Sequence, residues 1–128
     1  MVTQIIDHVG LKVTDFERAR GFYVAALATL GIKLVAEFAV ERSHHAGFGI
    51  EGPTFWIGDG STHRANAHVA FIARSRSEVR AFYSVAMSVG GRDNGAPGLR
   101  AHYHPNYFSA YVFDPDGHNI EAVCHDPE

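Results

Sequence analysis

Nine histidines stand in this chain of 128 residues, and two of them, His8 and His68, open similar phrases, DHVGLKV and AHVAFIA, sixty positions apart. Imidazole titrates near neutral pH and is the commonest nitrogen ligand for transition metals, so a duplicated histidine points to proton transfer or metal ligation. A second concentration lies in HYHPNYFSAY (102–111), where His102 and His104 join Tyr103, Tyr107 and Tyr111. Two imidazoles and three phenols so close together can move protons and donate hydrogen bonds to a bound oxygen. The same stretch can equally be a pocket-rimming loop held by aromatic packing and stiffened by Pro105. Tyr107 and Tyr111 share a face if the chain is extended. Cys124 is the only cysteine, which excludes an intrachain disulfide and a cysteine-based zinc site within one chain.

The elements that must position these groups follow from the same repeat. The offset of sixty also pairs Val9 with Val69, Arg20 with Arg80, Phe22 with Phe82, Tyr23 with Tyr83, Ala26 with Ala86 and Gly31 with Gly91. A single fixed period indicates a duplicated module. IIDHVGLKV (5–13) reads as a strand with Val9, Leu11 and Val13 on one face and His8 on the other. Thr14 and Glu17 form a capping box for a helix whose stripe of Phe16, Ala19, Tyr23, Ala26, Leu27 and Leu30 runs to Gly31. KLVAEFAV, HHAGFGI and TFWIG are three further strands. The turn-rich tract GDGSTHRAN (58–66) is the joint. AHVAFIA then repeats the first strand, and Ser75 with Glu78 the capping box. The second helix carries Val79, Phe82, Tyr83 and Ala86, and YFSAYVF and NIEAV close the chain around the turn DPDG. RDNGAPGLRAHYHPN reads as a loop holding only a short, weak strand. The reading is α+β: module one at 1–58, a linker at about 59–66 and module two at 67–128, each βαβββ.

Composition narrows the function classes. With 46% hydrophobic and 20% charged residues the chain is an ordinary globular domain. A net charge of −3 with scattered Lys and Arg leaves no footprint for nucleic acid. No apolar run spans a bilayer, and Asp7 and His8 stand where a signal peptide needs apolar residues. A cytoplasmic protein without a membrane or nucleic-acid partner is expected.

DHV followed by a helix with FY, AHVAF at the start of the second half, and DPDGHNIEAV near the end jointly resemble the vicinal oxygen chelate superfamily. That superfamily holds glyoxalase I, extradiol dioxygenases, fosfomycin-resistance transferases and bleomycin-resistance proteins. The resemblance implies the glyoxalase/bleomycin resistance/dioxygenase fold, a curved mixed sheet around a central cleft that encloses a divalent metal held by first and fourth strands. Carried over residue by residue, it gives His8, His68 and Glu121 as ligands. Matching Gly52 to Gly117 places Trp56 opposite Glu121, where a glyoxalase I supplies a carboxylate or amide; Trp56 becomes a pocket wall. Two histidines and one carboxylate suit iron, manganese or zinc ahead of nickel or magnesium. Strand parity agrees, because each of the three lies opposite an apolar set: His8 against Val9 and Leu11, His68 against Val69 and Phe71, Glu121 against Ile120 and Ala122.

The other histidines read differently. His44-His45 is a poor chelate because strand neighbours face opposite ways, leaving at most one in a pocket. His118 and His125 are expected in solvent, and Asp114, Asp116 and Gly117 form a turn. The preferred function is a metal-dependent enzyme that chelates vicinal oxygens of a small substrate, with dioxygenase-like or lyase/isomerase chemistry. A fosfomycin-type transferase is disfavoured by Gly10, where a hydroxyl is expected, and a glyoxalase by Trp56. The alternative is a metal-free drug- or metabolite-sequestering protein of the bleomycin-resistance type. A purely structural dimer is the third reading, and burying imidazole and carboxylate argues against it. A homodimer is expected, because open sheet edges invite a second copy.

Overall fold

The structure is a computed structural model that describes residues 6–60 and 66–128. Ile5 of the expected first strand and 61–65 of the expected linker lie outside the described residues.

Module one runs β1 (Val9–Lys12), α1 (Phe16–Ala28), β2 (Lys33–Val40), β3 (Ser43–Gly49) and β4 (Phe55–Gly58). Module two repeats the plan with β5 (His68–Ile72), α2 (Arg76–Ser88), β6 (Arg92–Leu99), β7 (Phe108–Phe113) and β8 (Asn119–Cys124). Each module forms its own four-stranded mixed sheet, ordered β1-β4-β3-β2 and β5-β8-β7-β6, with the first strand parallel to the last. The expected pair of tandem βαβββ modules is what the chain builds. β1 is shorter than the expected 5–13 strand, and His8 stands one residue before it.

Alternation sets the two faces of each sheet. Leu11, Ala46, Phe48, Phe55 and Ile57 are buried beneath α1, as Ala110, Val112, Ile120 and Ala122 are beneath α2. The opposite faces stay open and carry His8, Phe38, His45 and Trp56 in module one, and His68, Tyr107, Tyr111 and Glu121 in module two. The helices pack against one another, and Phe55 meets Phe71 edge to face at 5.0 Å, so the two halves share one core.

The helix starts differ from expectation in a telling way. Ser75 caps α2 by accepting from the Glu78 N–H. At α1 the cap is Asp15, not Thr14. Thr14 is recruited across the molecule, where its N–H and hydroxyl both donate to Asp116. This belongs to a larger junction. Asp114 is fully buried and accepts from the Tyr23 hydroxyl at 2.6 Å and from the backbone N–H groups of Asp116 and His118. His118, expected in solvent, is only 3% exposed. Its Nδ1 accepts from Ala67 N–H and its Nε2 donates to Lys12 O. The DPDGH turn is therefore the clasp between the modules.

The 92–106 stretch, expected to hold only a short strand, supplies eight-residue β6. β6 is a sheet edge, where the missing N–H of Pro97 costs no ladder bond, and register shifts at Asp93/Gly95 and Gly95/Gly98 absorb the glycines. Among the described residues no helix is long and apolar enough to cross a membrane.

Candidate functional site

Register fixes which residues of the two modules are equivalent. In module one Trp56 pairs with Gly10 on β1 and Gly47 on β3. In module two Glu121 pairs with Ala70 on β5 and Tyr111 on β7. Position 10 corresponds to position 70 by the repeat, so Trp56 and Glu121 occupy the same place in the two sheets.

Glu121 is 2% exposed on the open face of module two, and each of its oxygens has a partner. His68 Nε2 lies 3.0 Å from Oε1, and Tyr107 donates its hydroxyl to Oε2. Burial, reinforced by the hydrogen bond to Glu121, pushes the Tyr107 phenol far above its ordinary value. At neutral pH Tyr107 is thus a fixed donor that orients the carboxylate, not a phenolate base. Tyr111 lies beside them, its ring 6.3 Å from that of His68 and the Arg100 guanidinium 5.5 Å from its own centroid. Ser109 shares this face, and its hydroxyl is buried without a hydrogen-bond partner among the described residues. An orphaned hydroxyl beside a buried carboxylate marks a surface prepared for a polar group.

The remaining residues of the 102–111 stretch spread outward. His104 accepts from Asn106 N–H and bonds His125 at 2.6 Å, and the His125 ring stands edge-on to Tyr107 at 5.2 Å. His102 and Tyr103 are exposed, with Tyr103 4.9 Å from Tyr107 ring to ring. Of the five loop residues singled out from the sequence, Tyr107 touches Glu121, Tyr111 faces it across the register, and His102, Tyr103 and His104 form the rim.

His8 lies elsewhere. It is bonded to Asp7 at 2.7 Å and borders a cleft of about 330 Å³ on the open face of module one, with Lys12, Phe38, His45 and Trp56. Of the His44-His45 pair, His45 faces this cleft and stacks on Phe38 at 4.9 Å, while His44 turns to Asp59 and Phe16. Within one chain, His68 and Glu121 meet and His8 does not join them. Among the described residues no three His, Cys, Asp or Glu side chains converge on one point. Ser109 and Lys12 escaped the sequence reading, although strand parity with Tyr107 and His8 carried the signal for each; the reading had allowed one of the His44-His45 pair into a pocket, and His45 is that residue.

The model of the Glyoxalase/Bleomycin resistance protein/Dioxygenase superfamily matches residues 5–122. The chain belongs to this superfamily. A glyoxalase/bleomycin resistance protein from Albidiferax ferrireducens T118 is 27% identical with a TM-score of 0.74, over 96% of this chain and 100% of that one. The E144Q glyoxalase I mutant from Zea mays is 25% identical with a TM-score of 0.71. The match covers 92% of this chain and only 46% of that maize chain, so this chain spans about half its length. A glyoxylase/bleomycin resistance protein/dioxygenase domain from Frankia sp. EAN1pec shares the fold at 14% identity and a TM-score of 0.72. No curated protein matches the chain in sequence.

Proposed function

We propose that this superfamily member is a divalent-metal-dependent enzyme acting on a small substrate with two adjacent oxygens, and that one chain carries half of each site. The observation behind this reading is the His68–Glu121 pair at 3.0 Å on an open sheet face, its second carboxylate oxygen held by Tyr107. An imidazole nitrogen and a carboxylate oxygen so placed fit the donor set of iron, manganese or zinc. Two donors are too few to hold such an ion with open positions to spare, and His8 sits on the other open face. A homodimer that sets module one of one copy against module two of the other would bring His8 of the partner subunit to the pair. The unpaired outer edges of β1 and β5 suit such an assembly.

When bound, a divalent ion supplies Lewis acidity toward two substrate oxygens. The chain's own residues do the rest. Tyr107 keeps Glu121 from rotating, and the buried setting of the carboxylate excludes water from one side. Tyr111 and the Ser109 hydroxyl offer donors to a substrate oxygen. His104, coupled to His125 at the rim, is placed to exchange a proton with solvent.

One observation favours a second reading. Both Glu121 oxygens already have partners, so the face is stable without an ion, as a metal-free sequestering protein requires. Elemental analysis and calorimetry on protein purified without added metal decide between the two. The enzyme reading expects one divalent ion per site, lost in His68→Ala, Glu121→Ala and His8→Ala alike. Mixing and refolding His8→Ala with Glu121→Ala in equal amounts should restore binding to about a quarter of all sites, because about half the dimers are mixed and each mixed dimer has one intact interface. Unchanged ion binding in all three variants refutes the site, and no ion in the wild type favours sequestration.

A further inference from the structure

The open face of module one is built from flat side chains laid over glycines. A Cβ on Gly47 would fall 2.8 Å from Trp56 Cη2 and 2.9 Å from Cζ2, so the indole rests directly on the β3 backbone. A Cβ on Gly58 would fall 2.7 Å from His45 Nδ1, so the His45 ring rests on β4 in the same way. Phe38 continues the layer, stacked on His45 at 4.9 Å and edge-on to Trp56 at 5.7 Å. Gly10, the other register partner of Trp56, is different: a Cβ there meets nothing within 4 Å. The indole thus leans toward β3 and leaves open space over β1, and that space is the floor of the cleft of about 330 Å³. Its size is at the small end for ligand pockets and suits a single ring.

The two ends of the cleft carry different charge. His8 at one end is bonded to Asp7 at 2.7 Å, which neutralises it when protonated. Lys12 at the other end joins none of the ion pairs among the described residues. Trp, Phe and His side chains offer faces and edges that favour aromatic partners over saturated ones. An ammonium at one end favours an anion there.

We propose that this cleft binds a planar aromatic ring bearing a carboxylate, the ring lying over Gly10 against Trp56 and the carboxylate turned to Lys12. This names the ligand class for the small-molecule site above and rests on that reading only for the claim that the ligand is also a substrate. The side chains that carry it lie on the opposite sheet from His68 and Glu121.

Trp56 is the only tryptophan, so its emission reports occupancy of the cleft directly. The full chain, stripped of metal with a chelator, is titrated with benzoate, cyclohexanecarboxylate and benzyl alcohol. Benzoate should change the emission saturably and bind about fivefold tighter than cyclohexanecarboxylate, which has the charge but no flat face. Lys12→Met should weaken benzoate about threefold to tenfold and leave benzyl alcohol unchanged. Gly10→Val, whose Cβ meets no atom within 4 Å and whose methyls enter the floor, should abolish both responses. Phe38→Ala, at a half-exposed position, gives a second test should the valine variant not fold, and should weaken both aromatic probes. No saturable change with benzoate, equal affinity for the saturated acid, or wild-type titrations in Gly10→Val or Phe38→Ala overturns the proposal. Because no metal is present, failure here leaves the ion titrations untouched, and failure of those leaves this result standing.

Discussion

At one register position the two modules make opposite choices. Module one places Trp56 between Gly10 and Gly47; module two places Glu121 between Ala70 and Tyr111. The backbone is the same, so the neighbours decide what the position can be. Gly47 lets an indole lie flat on the sheet, and a tyrosine there would block it. A carboxylate at the equivalent place needs donors, and the longer β6–β7 connection delivers Tyr107 to provide one while His68 provides the other. A duplicated fold can thus specialise its halves, one face for recognition through flat surfaces and one for charge, without altering the core beneath either.

That contrast can be broken at its strongest point first. Glu121→Ala should eliminate stoichiometric binding of a divalent ion in calorimetry, whereas Trp56→Ala should leave the ion affinity within about threefold, since the indole is assigned to the organic ligand. The next largest effect concerns the two turns that close the sheets. Asp114→Ala leaves the Tyr23 hydroxyl and two backbone N–H groups buried without an acceptor and should destabilise by about 3 kcal/mol or more in urea denaturation. Glu51→Ala, in the corresponding exposed turn of module one, should change stability by less than about 0.5 kcal/mol. Tyr107→Phe removes a positioning donor and keeps the ring. It should weaken ion binding by about 10- to 100-fold with little change in fold, and its absence of effect would make Tyr107 merely part of the rim.

The smallest difference separates the two helix starts. The Arg74 backbone N–H, joined by its guanidinium, holds the Glu78 carboxyl below its ordinary value of 4.5. A depressed carboxylate contributes stability above its unfolded pKa and loses it as pH falls through the folded one. Glu78→Gln should therefore melt lower than wild type at pH 7, by an amount worth less than about 1 kcal/mol, and the two curves should converge as pH falls below the folded pKa. Glu17 in the first turn of α1 makes no matching bond among the described residues, and Glu17→Gln should change stability at pH 7 by less than about 0.5 kcal/mol.

Much of this was legible in the sequence because duplication prints its evidence twice. The sixty-residue offset located both first strands and both helices, and the match of Gly52 to Gly117 placed Trp56 opposite Glu121. Parity separated His68 and Glu121 from the apolar set. What escaped depends on partners distant along the chain. Thr14 looked like a cap because nothing local shows that Asp116, 102 residues away, claims it. His118 looked exposed because a histidine after a DPDG turn has no local signature of burial; its partners are Lys12 and Ala67. β6 was missed because glycine and proline argue against a strand unless the strand is known to be an edge. That His8 and His68 face different clefts is a consequence of how the modules pack, which strand periodicity cannot express.

The clasp around Asp114 has an implication for how this protein handles its ligands. A carboxylate with three donors, wedged between α1 and the β7–β8 turn, resists shear, because any relative movement of the halves would strand it in an apolar interior. Among the described residues the two modules are accordingly braced stiffly against one another. Entry and exit of a ligand then depend on side chains at the rim, and a new ligand is accommodated by exchanging side chains on an open face, with the angle between the two faces unchanged.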